Sequence, residues 1–214
     1  MDTARRQCVG QLWRTITLDL RFANHDFMKL QQPYRANALA PVLINQSFAF
    51  YDSIGVIAVF VHAALETGRW YWGRLGFEFF NPAEARAVRR WGRAVVRALG
   101  LSVDVSGMRE ARQWALLGST PPEVETSLEA IAQATPQAHY RHFLGVPIAD
   151  YLRLVAEANS LRFDQQIPLG RAIMLSGPDW HGIFHLFDSA RRYQLEVYMR
   201  TKLRQAAASR LAVP

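Results

Sequence analysis

Five arginines, Arg86, Arg89, Arg90, Arg93 and Arg97, stand at helical spacing within one segment of this chain. Projected at about 100° per residue they fall within an arc of about 100°, while Val88, Trp91, Val95 and Leu99 gather opposite. Guanidinium groups are planar forks that grip phosphate or carboxylate bidentately. No acidic residue interleaves the five after Glu84, so neighbouring charges repel one another. The pattern implies either a bare solvated face or binding to an anion. The second reading predicts a binding or adaptor protein whose arginine face engages an acidic protein partner or phosphates, including those of a nucleic acid.

A second constellation follows near the C-terminus. His181, His185, Asp188 and Arg192 succeed one another at intervals of four, three and four. On a helix they share a face, where two histidines one turn apart can chelate a divalent metal and a carboxylate one turn on can complete the set. His139 and His142 are further imidazoles that a second segment can supply. This alternative describes a metal- or small-molecule-dependent enzyme with His181, His185 and Asp188 as ligands. The pattern His-Gly-Ile-Phe-His lacks the glutamate of the zinc-protease motif, and the paired Glu-x-x-His motifs of di-iron bundles are missing. The competing reading is a polar surface face.

The remaining candidates carry weaker signals. Asn24-His25-Asp26 is an isolated His-Asp dipeptide, and His62 reads as a core histidine bonded to a carbonyl or as a ligand to a bound group. Asp52 lies in an apolar stretch and calls for an arginine or histidine partner. Trp70, Trp72, Phe77 and Phe80 form an aromatic cluster that reads as core or as the wall of a ligand pocket. Cys8 is the single cysteine, which excludes an intramolecular disulfide framework and any multi-cysteine zinc site and points to a reducing, cytoplasmic compartment. Phosphate-binding glycine loops and the Gly-x-Ser-x-Gly elbow are absent, which disfavours P-loop, Rossmann and α/β-hydrolase chemistry. The identity of any cofactor is unknown from the sequence.

The whole chain shares the bias of its arginine stripe. It has 25 basic and 18 acidic residues among 214, a net charge of +7, and only Lys29 and Lys202 are lysines. Such a balance favours anionic partners. Half of the residues are apolar, enough for a substantial core. No secretory signal is expected after the charged start Met1–Arg6. The longest uncharged run, Ile54–Leu65, spans twelve residues against the roughly 20 needed to cross a bilayer, so no integral membrane protein is expected.

The elements that would position these residues read as helices. Val9, Leu12, Trp13, Ile16 and Leu20 predict a first helix over roughly 3–30, and an apolar stretch predicts a central one over about 38–67. Asn81-Pro82-Ala83-Glu84 is a helix start with cap, first-turn proline and returning carboxylate, and Gly100 is its stop. Further helices are expected over about 106–117, 120–134, 137–144 and 147–163, with a long one from 179 to 210. Only Leu101–Val105 reads as a strand. The expectation is an all-α fold, a single-domain bundle of about 7–9 helices over residues 1–214 around one central apolar helix.

Overall fold

A computed structural model of the chain describes residues 10–31, 39–64, 68–120, 123–136 and 146–211. Among them eight helices accompany a five-stranded mixed sheet and a two-stranded one, so the fold is α/β and the all-α expectation is corrected. Strands β1 (Gly10–Thr17), β2 (Phe22–Leu30), β3 (Ala58–Ala63), β7 (Trp180–His185) and β4 (Glu78–Phe79) form the larger sheet in that order. Strands β5 (Glu125–Thr126) and β6 (Ile167–Pro168) pair antiparallel. The helices are α1 (Leu39–Ser53), α2 (Gly68–Leu75), α3 (Pro82–Ala98), α4 (Ala111–Leu116), α5 (Leu128–Ala134), α6 (Ile148–Ala158), α7 (Leu169–Ser176) and α8 (Ser189–Leu211). Residues 1–61 with 183–214 form one compact unit, and residues 62–182 form the other. The chain passes between the units within β3 and again within β7.

The expected first helix is instead the β1–β2 hairpin. Leu12, Arg14 and Ile16 point to the more buried face while Gln11, Trp13 and Thr15 are exposed, the period-two alternation of a strand. Leu12 and Ile16 satisfy both periods because a separation of four residues is near one helical turn and is also two strand repeats. The turn at residues 18–21 hid the hairpin. It closes with Arg21 N–H donating to Leu18 O at 3.0 Å, and Arg21 itself takes the left-handed conformation at φ 56°. That position favours Gly, Asn or Asp.

The expected central apolar helix likewise divides. Helix α1 stops at Ser53, Gly55 turns the chain at φ +76°, and Val56–Ala63 continues into β3. β3 runs parallel to β2, with Ala58 opposite Phe22 and Val61 opposite His25. Ala58, Val59, Val61 and Ala63 are all buried. Phe60 is half-buried and His62 exposed, yet five of the six residues are apolar, so the sequence shows little alternation and the run resembles a buried helix. Leu101–Val105 forms no strand.

In the first unit, Phe48 on α1 meets Phe184 with ring centroids 5.0 Å apart. His25 is buried and shares a 2.8 Å hydrogen bond with the Tyr51 hydroxyl. Burial first and the Arg14 charge second push its pKa down to about 4, so it is neutral in this core. The His25-Asp26 dipeptide is thereby divided: His25 points inward, and Asp26 accepts the Thr15 hydroxyl at 2.8 Å.

The second unit gathers its core about Trp114, which is fully buried. A Cβ at Gly92 on α3 would stand 2.2 Å from the Trp114 ring, so α3 lies directly on that indole. Arg69 on α2 is also buried. It donates to the carbonyl of Gly177 and, at 2.8 Å, to the Tyr151 hydroxyl, with Asp179 at 3.6 Å. Through its Nη atoms this buried guanidinium holds the start of α2 to the segment after α7.

Candidate functional site

Helix α3 forms as its sequence predicts. Asn81 caps it by accepting the Ala83 N–H at 2.9 Å, Pro82 opens it, and Gly100, at φ +65°, follows its end. Ala85, Val88, Trp91, Gly92, Val95 and Val96 make its buried face. The Trp91 indole N–H reaches Ile173 O at 3.2 Å and Ser176 Oγ at 3.1 Å. This packing fixes the rotation of α3 about its axis, which decides where the arginines stand.

Arg86, Arg90, Arg93 and Arg97 are exposed and Arg89 is half-buried. Two are held in place by carbonyls: Arg89 Nε donates to Ala85 O at 3.1 Å, and Arg93 Nη2 donates to Ser106 O at 3.2 Å. None of the five forms an ion pair among the described residues. Glu84, the acid of the first turn, is engaged by His181. No large exposed hydrophobic side chain lies on α3. The result is an uninterrupted cationic row on a rigid support.

The structure places His181, His185 and Asp188 differently from the helical face expected of them. His181 and His185 lie on β7. Residues four apart in a strand share a face but stand about 13 Å apart, so they cannot both reach one ion at about 2 Å. Asp188 caps α8 instead, accepting the Arg191 N–H and the Arg191 Nε, each at 3.0 Å. The bond from the Arg191 backbone is the main reason its carboxyl is held below the usual range. Among the described residues no group of three or more His, Cys, Asp or Glu side chains is placed to hold a metal. His139, His142 and Cys8 lie outside the described residues.

His181 has a different set of partners. Glu84 grips it twice, accepting its backbone N–H at 2.7 Å and contacting Nδ1 at 2.8 Å. His62, exposed on β3 and not in a core, stacks on His181 with centroids 4.4 Å apart and planes 5° from parallel. Imidazole lone pairs lie in the ring plane, so two parallel rings do not converge on one metal. The Glu84 contacts tie β7 to the first turn of α3.

Among the aromatics, Trp72 and Phe77 are core, packed edge to face at 5.1 Å, while Phe80 is exposed. Trp70 is half-buried and carries the guanidiniums of Arg74 and Arg171 at 5.2 and 4.8 Å from its ring centre. Sequence reasoning missed this trio, because residues 70 and 171 are joined only by the fold. Asp52 finds the arginine partner expected of it, in Arg192 at 2.5 Å. No helix among the described residues is long and apolar enough to cross a membrane.

The chain matches no protein-family model, no curated protein and no solved structure.

Proposed function

We propose that this chain is a nucleic-acid-binding protein that contacts backbone phosphates through the arginine face of α3. One observation carries the reading: Arg86, Arg89, Arg90, Arg93 and Arg97 form a solvent-facing row that has no acidic partner among the described residues. From Arg86 to Arg97 the row extends about 16 Å along the helix. It therefore presents several guanidinium forks in succession to a regularly spaced polyanion. Protein docking sites are built around buried aromatic or aliphatic anchors, and the exposed face of α3 has none. That difference favours phosphates over an acidic protein. The net charge of +7 adds long-range attraction of the same sign. The single cysteine is compatible with a reducing, cytoplasmic setting.

The test is titration of labelled duplex DNA and RNA with the full chain at several salt concentrations. Arg86, Arg90 and Arg97 are exposed and make no hydrogen bond among the described residues, so their reversal to Glu is expected to leave the scaffold intact. The triple variant is expected to lose roughly a thousandfold in affinity, and its log–log salt slope on duplex DNA falls by about 3. Equal affinity of wild type and variant for both nucleic acids, with both proteins folded, removes the proposal. Binding to an acidic polypeptide in place of nucleic acid also removes it.

A further inference from the structure

The second unit holds another group of cations, away from α3 in sequence and carried by different helices. Arg74 lies in the last turn of α2 and Arg171 in the first turn of α7. Both guanidiniums lie against the ring of Trp70, at 5.2 and 4.8 Å from its centroid. Two like charges are thus held on one indole. The ring is itself fixed, since its N–H donates to Ala115 O of α4 at 3.0 Å.

The backbone beneath is equally constrained. Each arginine follows a glycine at a close helix approach. A Cβ at Gly73 would stand 3.1 Å from Ala111 O, and one at Gly170 would stand 2.0 Å from Trp114 O. Only a residue without a side chain lets α7 come this near to the end of α4. The arginines therefore project from fixed points.

Arg171 is the unexplained member. It is half-buried, its Nε is buried without an acceptor, and it makes no hydrogen bond or ion pair among the described residues. Burial first, then the charge of Arg74, pushes its pKa down. Its position at the start of α7 is also the end of a helix where the backbone dipole disfavours a cation and favours an anion. A planar fork with five donors, an adjacent second guanidinium and a helix start all favour the same kind of ligand. A buried polar group left without a partner is a sign of something that binds there.

We infer that Trp70, Arg74 and Arg171 form a binding site for a phosphoryl group, either free phosphate or the phosphate of a small monoester. A phosphate monoester carries nearly two negative charges and three acceptor oxygens, which match two guanidiniums better than a single carboxylate does. This site stands independently of the α3 reading.

Calorimetric titration of the full chain with inorganic phosphate, glycerol phosphate and acetate tests the inference. Saturable binding of one or both phosphates, with acetate at least about tenfold weaker, is expected. Phosphate alone binding identifies the free anion as ligand, and glycerol phosphate binding more tightly identifies a monoester. Arg171→Gln should weaken binding by about tenfold or more, and Arg171→Lys, which keeps the charge and loses the fork, by an intermediate amount. The Arg86, Arg90 and Arg97 triple reversal should leave this binding unchanged, which separates it from the nucleic-acid surface. Absence of saturable phosphate binding by the wild-type chain overturns the inference, whether or not the variants fold. So does equal affinity for acetate, undiminished binding by folded Arg171→Gln, or loss of binding in the α3 triple variant alone.

Discussion

Two long helices of this molecule carry arginine rows and treat them in opposite ways. On α8, Arg191 is paired with Asp188, Arg192 with Asp52 and Arg200 with Glu196. On α3, five arginines have no acidic partner among the described residues. The contrast begins in the chain itself. Acids stand three or four residues before Arg191 and Arg200, the spacing at which helical side chains meet, whereas none interrupts 85–99. The α8 pairs neutralise their cations within the fold, whereas the bare α3 row is the one we propose contacts phosphates.

The sharpest way to break this comparison is to exchange the roles of the two rows. Reversing Arg86, Arg90 and Arg97 should cost roughly a thousandfold in nucleic-acid affinity, about 4 kcal/mol. Neutralising Arg191 and Arg200 to Gln should change affinity by no more than about twofold in the same filter or anisotropy assay. A comparable loss from the α8 change would show that net charge, and not the α3 surface, governs binding.

Acid distinguishes the two units next. His25 takes up a proton in the unfolded chain near the ordinary histidine value of 6.5 but resists it in the core until about pH 4. The depressed histidine leaves stability complete above pH 6.5, and stability falls as the pH drops from there to 4, because the unfolded state then binds more protons. The loss amounts to about 3 kcal/mol. Urea midpoints measured across that range should show it, and His25→Gln should flatten the slope. An unchanged slope in the variant assigns the acid sensitivity elsewhere.

Packing under the bare row gives a smaller effect. Gly92→Ala forces a methyl group into the Trp114 ring and should destabilise the chain by about 1–3 kcal/mol, read as a lower melting temperature. Binding by the protein that remains folded should persist. Smallest of all, Asp52→Asn removes the partner of Arg192 at a part-exposed site, with side chains 38% and 37% accessible. It should cost less than about 1 kcal/mol, measurable only by denaturant titration, and a loss several times larger would make the α8 pairs structural keystones.

Much of α3 was legible in the chain. Its cap, its proline, its terminal glycine and its two faces are all local signals within 81–100, and each is present in the structure. The strands were not legible for a matching reason. Leu12 and Ile16 fit both periodicities, β3 is apolar at five of its six positions and so lacks a period-two sequence pattern, and Arg21 closes a hairpin where a glycine or asparagine is usual. Trp180–His185 reads as a helix continuing into 189–211, yet its burial alternates along a strand.

The chain by itself determined the row of α3 and its want of acids, because side chains three and four apart on a helix are neighbours whatever the rest of the fold does. Tertiary structure alone decided which histidines and arginines meet. His62 stacks on His181, and Arg171 shares an indole with Arg74, across separations in sequence that no local pattern spans. Such meetings follow from how buried strands and glycine-lined helix contacts close the core, and burial is a property of the assembled chain rather than of any segment.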